Sequence, residues 1–223
     1  MNGSFLKTGL KRILFLLIAW LATSGIFVYS ENQSWLTNSL RISFDPKLTL
    51  LFTNEFRNQE FTFMNHYLAN VQSGFQYSLS DNSYIAFLYK RENTNKPDYI
   101  LNENRYTLET GWNKKLGSTV NFDIRFMTEG RTYENGRAQN HFRFRLKLRF
   151  AAQVKVGNYT IKPFIASEPF GDTLSNRVTQ NRLYIGTSFP LGQHSTFTLN
   201  YIRQDTKNKK TLHILNAGFH LKF

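Results

Sequence analysis

From Trp35 to the end of the chain, apolar and polar side chains alternate in stretches separated by clusters of Gly, Asn, Asp, Lys and Pro. A period of two marks a strand with one apolar and one polar face, and no stretch here carries the 3.6-residue period of a helix. The alternation places extended segments at about 35–44, 47–58, 63–79, 83–92, 101–115, 118–132, 138–152, 157–168, 178–190, 195–205 and 211–223. Short turns near Asp81-Asn82, Leu116-Gly117-Ser118, Val156-Gly157-Asn158 and Leu191-Gly192-Gln193 trade places with longer connections near 93–100, 133–137, 169–177 and 205–210. That pattern predicts an all-β, antiparallel, up-and-down transmembrane β-barrel. Eleven segments conflict with the even strand number usual in bacterial single-chain barrels. Ten spanning strands, with Trp35 to Phe44 packed in the barrel mouth or interior, are the favoured resolution; twelve, with one partner missed, are the alternative.

The run from Phe142 to Phe150 decides which face meets lipid. Phe142, Phe144, Leu146, Leu148 and Phe150 point one way, and Arg143, Arg145, Lys147 and Arg149 the other. Turning this strand over would set four cations against hydrocarbon at roughly 2–4 kcal/mol each, so the basic face is expected inside. The preceding segment follows suit, with Val120, Phe122, Ile124 and Phe126 outward and Asn121, Asp123, Arg125, Glu129 and Arg131 inward. A hairpin between these two segments would pair Asp123 with Arg149 and Glu129 with Arg143. Parity also places Glu55, Arg57, Arg105, Glu109, Lys162, Glu168, Arg182, His220 and Lys222 inside. It is ambiguous over 83–92, and Pro163 is awkward because it removes a ladder donor from a strand paired on both sides.

Two features bear on location. Lys7, Lys11 and Arg12 precede an apolar run from Ile13 to about Val28, the layout of a cleaved signal peptide over residues 1–30, followed by a single barrel domain at 31–223. Cleavage is expected near Ser30, with Ala22 to Ser24 as the other option and an uncleaved anchor as the alternative. At the other end, Leu215, Phe219, Leu221 and the terminal Phe223 share one face, resembling the C-terminal signal that barrel assembly machinery reads. Absence of cysteine fits an exported protein that needs no disulfide. The formal charge of +13 loses only the three leader cations, leaving +10 on the rest.

Over about residues 34–223 the chain resembles the bacterial family known as domain of unknown function 2490, a set of outer-membrane barrels. The resemblance rests on Trp35, Asn54-Glu55-Phe56-Arg57, Arg143-Phe144-Arg145-Leu146, Lys162-Pro163-Phe164-Ile165-Ala166-Ser167-Glu168-Pro169-Phe170 and Asn181-Arg182-Leu183-Tyr184-Ile185-Gly186. It implies an outer-membrane location in a Gram-negative bacterium, and a fold. It implies no catalytic residues.

The sequence holds no metal-ligand cluster, phosphate-binding glycine loop or nucleophile elbow, so neither metal nor cofactor is expected. Its interior-facing charges, Glu55, Arg57, Arg105, Glu109, Asp123, Arg125, Glu129, Arg131, Arg143, Arg145, Lys147, Arg149, Lys162, Glu168 and Arg182, are the candidate ion-pair or anion-facing set. Counting Arg41 and Lys222, twelve cations face the five acids. The favoured function is a structural barrel, salt-bridged and plugged, or a narrow anion-favouring conduit. A lipid-modifying acyl hydrolase is the first alternative, with His141, His194-Ser195-Thr196 and His213 as residues to test. A soluble periplasmic barrel, apolar face inward around an apolar ligand, is the second. Outer-membrane lipid, lipopolysaccharide and the assembly machinery are the expected partners of a monomer. Nucleic acid is not, because the basic residues interleave with lipid-facing ones.

Overall fold

A strand with one apolar and one charged face has to separate them, and closing a sheet on itself does so without leaving an edge. The computed structural model describes residues 31–59, 66–136, 138–157 and 159–223; the expected signal peptide lies outside them. Its strands are β1 (Glu31–Ser43), β2 (Leu48–Gln59), β3 (His66–Ser80), β4 (Ser83–Asn95), β5 (Ile100–Leu116), β6 (Val120–Tyr133), β7 (His141–Ala152), β8 (Val154–Val156), β9 (Tyr159–Asp172), β10 (Arg177–Leu191), β11 (Ser195–Thr206) and β12 (Leu212–Lys222). Each wall strand pairs with its chain neighbour, β7 pairs with β9, and β12 pairs with β1, which closes the ring.

The wall therefore has eleven strands, and β8 is an extra piece paired with β9. This corrects the expectation of ten. The segment from Trp35 does not lie inside the barrel: it is β1, bonded to β2 on one side and β12 on the other. With hairpins throughout and an odd count, the first and last strands must run the same way. β1 and β12 are accordingly parallel, in register from Glu31–Leu212 to Arg41–Lys222. Even strand number is a habit of bacterial barrels; an odd number costs only one parallel pair, slightly weaker per residue than antiparallel.

The turns at 44–47, 81–82, 117–119 and 192–194 lie at one end, and the connections at 96–99, 173–176 and 207–211 at the other. We call these the turn end and the loop end. Gly192 adopts φ 80° in its turn, a left-handed conformation that a side chain would strain. In the turn at 44–47, Asp45 Oδ1 accepts from the backbone N–H of Lys47 at 2.6 Å and of Leu48 at 2.9 Å.

The prolines of β9 find an explanation in β7. The β7–β9 ladder pairs Arg149 with Ala166 and Ala151 with Phe164, and β8 carries the same register on to Val154–Ile161. That register sets Pro163 opposite Ala152, at the break between β7 and β8, and Pro169 opposite Leu146, where the ladder skips again. At the break, Gln153 turns its N–H to Thr119 O at 2.7 Å. A residue without N–H is tolerated where its neighbour does not ask for one.

Strand parity is now settled along β4. Ala86, Leu88 and Glu92 are buried inside, whereas Phe87 is 56% exposed on the outer face. The outer surface carries exposed Phe75, Leu108, Phe126, Phe142, Phe150, Ile165 and Phe219. The inverted arrangement, apolar face inward, does not occur. Inside, Trp35, Ala166, Tyr184, Ile202 and Ile214 form the buried apolar cluster on the wall made by β9 to β12 and β1.

Candidate functional site

The interior divides along the barrel axis into a densely ion-paired loop half and a cavity toward the turn end. Charge parity on β4 to β7 and β9 builds the first. Glu103 Oε1 accepts from Arg105 at 2.7 Å, and Glu103 Oε2 from Arg131 at 2.5 Å. Arg105 lies 3.5 Å from Glu92 and 3.9 Å from Glu129. Glu129 accepts from Arg143 and from Arg145, both at 2.6 Å. Arg145 continues to Glu168 at 2.5 Å, and the Tyr184 hydroxyl donates to the same carboxylate. Four carboxylates (Glu92, Glu103, Glu129, Glu168) and four guanidiniums (Arg105, Arg131, Arg143, Arg145) thus form one connected, balanced network. Glu129 and Glu168 side chains are 2% and 0% exposed.

Aromatic rings cap the network. Arg143, Arg145 and Arg182 stack on Phe170 at 5.2, 4.8 and 4.8 Å, and Trp35 receives Arg57 at 4.0 Å and Arg182 at 5.0 Å. Arg57 also pairs with Glu55 at 2.7 Å, and Arg182 Nε donates to Gln204 at 2.7 Å. Desolvated guanidiniums over ring faces are held more firmly than exposed ones.

Toward the turn end lies a cavity of about 650 Å³. Its lining carries Arg41, Arg125, Lys147 and Arg149 against one carboxylate, Asp123, together with hydroxyl and amide side chains. The contacts of these cations are loose. Arg149 meets Asp123 at 3.3 Å and Arg125 approaches Glu109 at 3.9 Å. Lys147 stands over the Tyr184 ring at 3.8 Å, and Arg41 donates to Gln76 at 2.8 Å. Tyr84 reaches Glu109 at 2.6 Å by lying flat across Gly111, where a Cβ would sit 2.2 Å from its ring.

Of the residues picked from the sequence, Glu55 with Arg57, Asp123 with Arg149 and Glu129 with Arg143 meet across or along strands, the last two directly opposite in the ladder. Arg105, Glu109, Arg125, Arg131, Arg145, Lys147, Glu168 and Arg182 are drawn together as described. Lys162 stands apart at the turn end, opposite Ser188 of β10. Leu215, Phe219, Leu221 and Phe223 lie on the outer face or at its rim. Four interior residues escaped the sequence reading. Glu103 shares the parity of Arg105, Lys90 and Glu92 sit where alternation leaves the parity ambiguous, and Phe170, 1% exposed, falls just past the strand end that alternation predicts. The period-two run through Glu168 was the signal that Phe170 continues the strand.

The histidines do not assemble a hydrolase site among the described residues. His194 Nδ1 bonds to Lys222 O at 2.9 Å in a short turn, while Ser195 Oγ donates to Leu191 O. His213 pairs with the Tyr201 hydroxyl, and His141 lies 3.4 Å from Arg131 and stacks on Tyr133. Inside the cavity Ser39 Oγ and His220 Nδ1 meet at 2.7 Å, directly opposite on β1 and β12, yet no carboxylate among the described residues hydrogen-bonds His220 to orient it.

Eleven strands closed around a charged interior define a β-barrel protein. The chain belongs to the family described as "Protein of unknown function (DUF2490)", whose model matches residues 32–213. It is similar in fold to the β-domain of the Bordetella autotransporter BrkA, with a TM-score of 0.54, 13% identity, and coverage of 79% of this chain and 82% of that one. No curated protein matches it.

Proposed function

We propose that the protein is an integral outer-membrane barrel whose interior is closed at the loop end by its ion-pair network and open, basic and polar toward the turn end. In this reading residues 1–30 direct export, the assembly machinery reads the last strand, and lipid and lipopolysaccharide surround a monomer. The exposed apolar outer face supports membrane insertion: Phe142 to Phe150 span about 26 Å along β7, roughly 20 Å after tilt, close to the apolar band of such barrels. The likeness to an autotransporter β-domain supports the same setting.

The observation that carries closure is the near-zero exposure of Glu103, Glu129 and Glu168, at 4%, 2% and 0% of their side chains. A water-filled path at their level would wet these carboxylates, which project from the wall. The barrel is therefore a structural vessel with one open end rather than a through-channel. Fractionation with a heat-modifiability gel tests location; the expected band lies in the outer membrane and shifts on boiling. Planar-bilayer recording tests closure: wild-type barrels are expected to be silent, and Glu168→Ala to open brief anion-favouring currents. Steady ohmic conductance from the wild type would overturn closure, and a soluble, unshifted band would overturn the location.

A further inference from the structure

The surplus of basic charge is not spread evenly. In the loop half every guanidinium of the network has carboxylate oxygens at 2.5–2.7 Å, whereas on the cavity lining Arg149 meets a carboxylate at 3.3 Å and Arg125 at 3.9 Å, and Lys147 and Arg41 form no ion pair among the described residues. Arg125 and Arg149 project from the adjacent strands β6 and β7 on either side of Asp123, and Lys147 stands next along β7. Arg41 enters from β1.

Holding like charges together in a protein interior is unfavourable unless an anion joins them. Guanidinium forks fit phosphate oxygens in pairs, and a lysine adds a point charge. The rest of the lining carries hydroxyl and amide side chains, Ser188, Thr198 and Asn200 among them, beside apolar and aromatic residues such as Phe164 and Tyr184. Its hydroxyl and amide side chains suit the hydroxyl groups of a ligand. The volume matches a small organic ligand.

We infer that the turn-end cavity is a binding site for a small phosphate-bearing, hydroxyl-rich molecule, gripped at its phosphate by Arg125, Arg149 and Lys147. The site rests on the proposed reading only in its sidedness: with the loop end closed, the ligand enters and leaves through the turn end.

The test uses the full-length barrel in detergent micelles, where both ends are open to solvent, so binding and closure are judged separately. Glucose 6-phosphate, inorganic phosphate and glucose are titrated calorimetrically at low salt, and heat-modifiability checks that each variant is folded. Glucose 6-phosphate is expected to bind, inorganic phosphate to bind more weakly and glucose not at all. Arg125→Gln and Arg149→Gln should each weaken glucose 6-phosphate by roughly tenfold or more. Should an isolated variant fail to fold, Ser188→Cys supplies a second readout, since the chain has no cysteine of its own. Its labelling by a charged thiol reagent is expected to slow when glucose 6-phosphate is present. Absence of glucose 6-phosphate binding to the wild type, equal binding of glucose, or unchanged affinity in both folded arginine variants would overturn the site. Equal binding of inorganic phosphate and the sugar phosphate would overturn the hydroxyl-binding part.

Discussion

Replacing Glu129 by alanine removes the carboxylate that joins the two halves of the loop-end network. Glu129 takes one bond from Arg143 and one from Arg145, each at 2.6 Å, and Arg105 lies 3.9 Å away. A hydrogen bond to a charged group contributes about 1.5–3 kcal/mol, so two give about 3–6 kcal/mol. Breaking a buried pair from one side costs about 3–5 kcal/mol, because the stranded cation stays out of water. The two routes agree at about 3–5 kcal/mol, undiminished by screening since the carboxylate is 2% exposed. Urea unfolding of the vesicle-inserted barrel, followed by the fluorescence of Trp35 and Trp112, measures the loss. Asp205→Ala is the control: Arg203 and Asp205 pair at 3.1 Å but are 54% and 39% exposed, and such pairs are worth about 0–1 kcal/mol. A cost for Glu129→Ala no larger than the control would refute the network as the element that holds the loop half together.

Three further outcomes follow from other parts of the barrel. Leu146→Arg sets a cation at the middle of the outer face of β7 and should cost about 2–4 kcal/mol in bilayers, whereas a solvent-facing site would show almost no change. Gly111→Ala should displace Tyr84 from Glu109 and destabilise by about 1–3 kcal/mol; unchanged stability would mean the ring moves freely. Glu134, in the short helical turn after β6, has its carboxyl held below the usual carboxylate range, first by hydrogen bonding from Arg91. A depressed folded value means its stabilisation is present above the ordinary glutamate range and is lost as pH falls through the folded value. Carboxyl-carbon NMR should therefore show the Glu134 midpoint rising in Arg91→Gln, and an unmoved midpoint would refute the pairing.

Much of this architecture was legible because a strand has a strict period of two. Once Arg143 to Arg149 were set on the inner face, every neighbour's facing followed, and so did the Asp123–Arg149 and Glu129–Arg143 register. Parity also separated the outward Phe219 from the inward His220. It failed where both faces are apolar, as over Tyr84 to Tyr89, and there Lys90 and Glu92 were lost from view.

What the sequence alone determined was the alternation, the turn positions and which side chains share a face, all properties of a few neighbouring residues. Only the tertiary structure decided the strand number, because closure depends on whether β1 and β12 can pair, and a parallel pair between segments some 180 residues apart leaves no local trace. It also decided how the interior charge divides. Parity says that an arginine points inward; how far along the axis it meets a carboxylate depends on the stagger of strands β4, β5, β6, β7 and β9. That stagger brings Glu103, Glu129 and Glu168 to the loop half and leaves Arg125, Lys147 and Arg149 around a cavity.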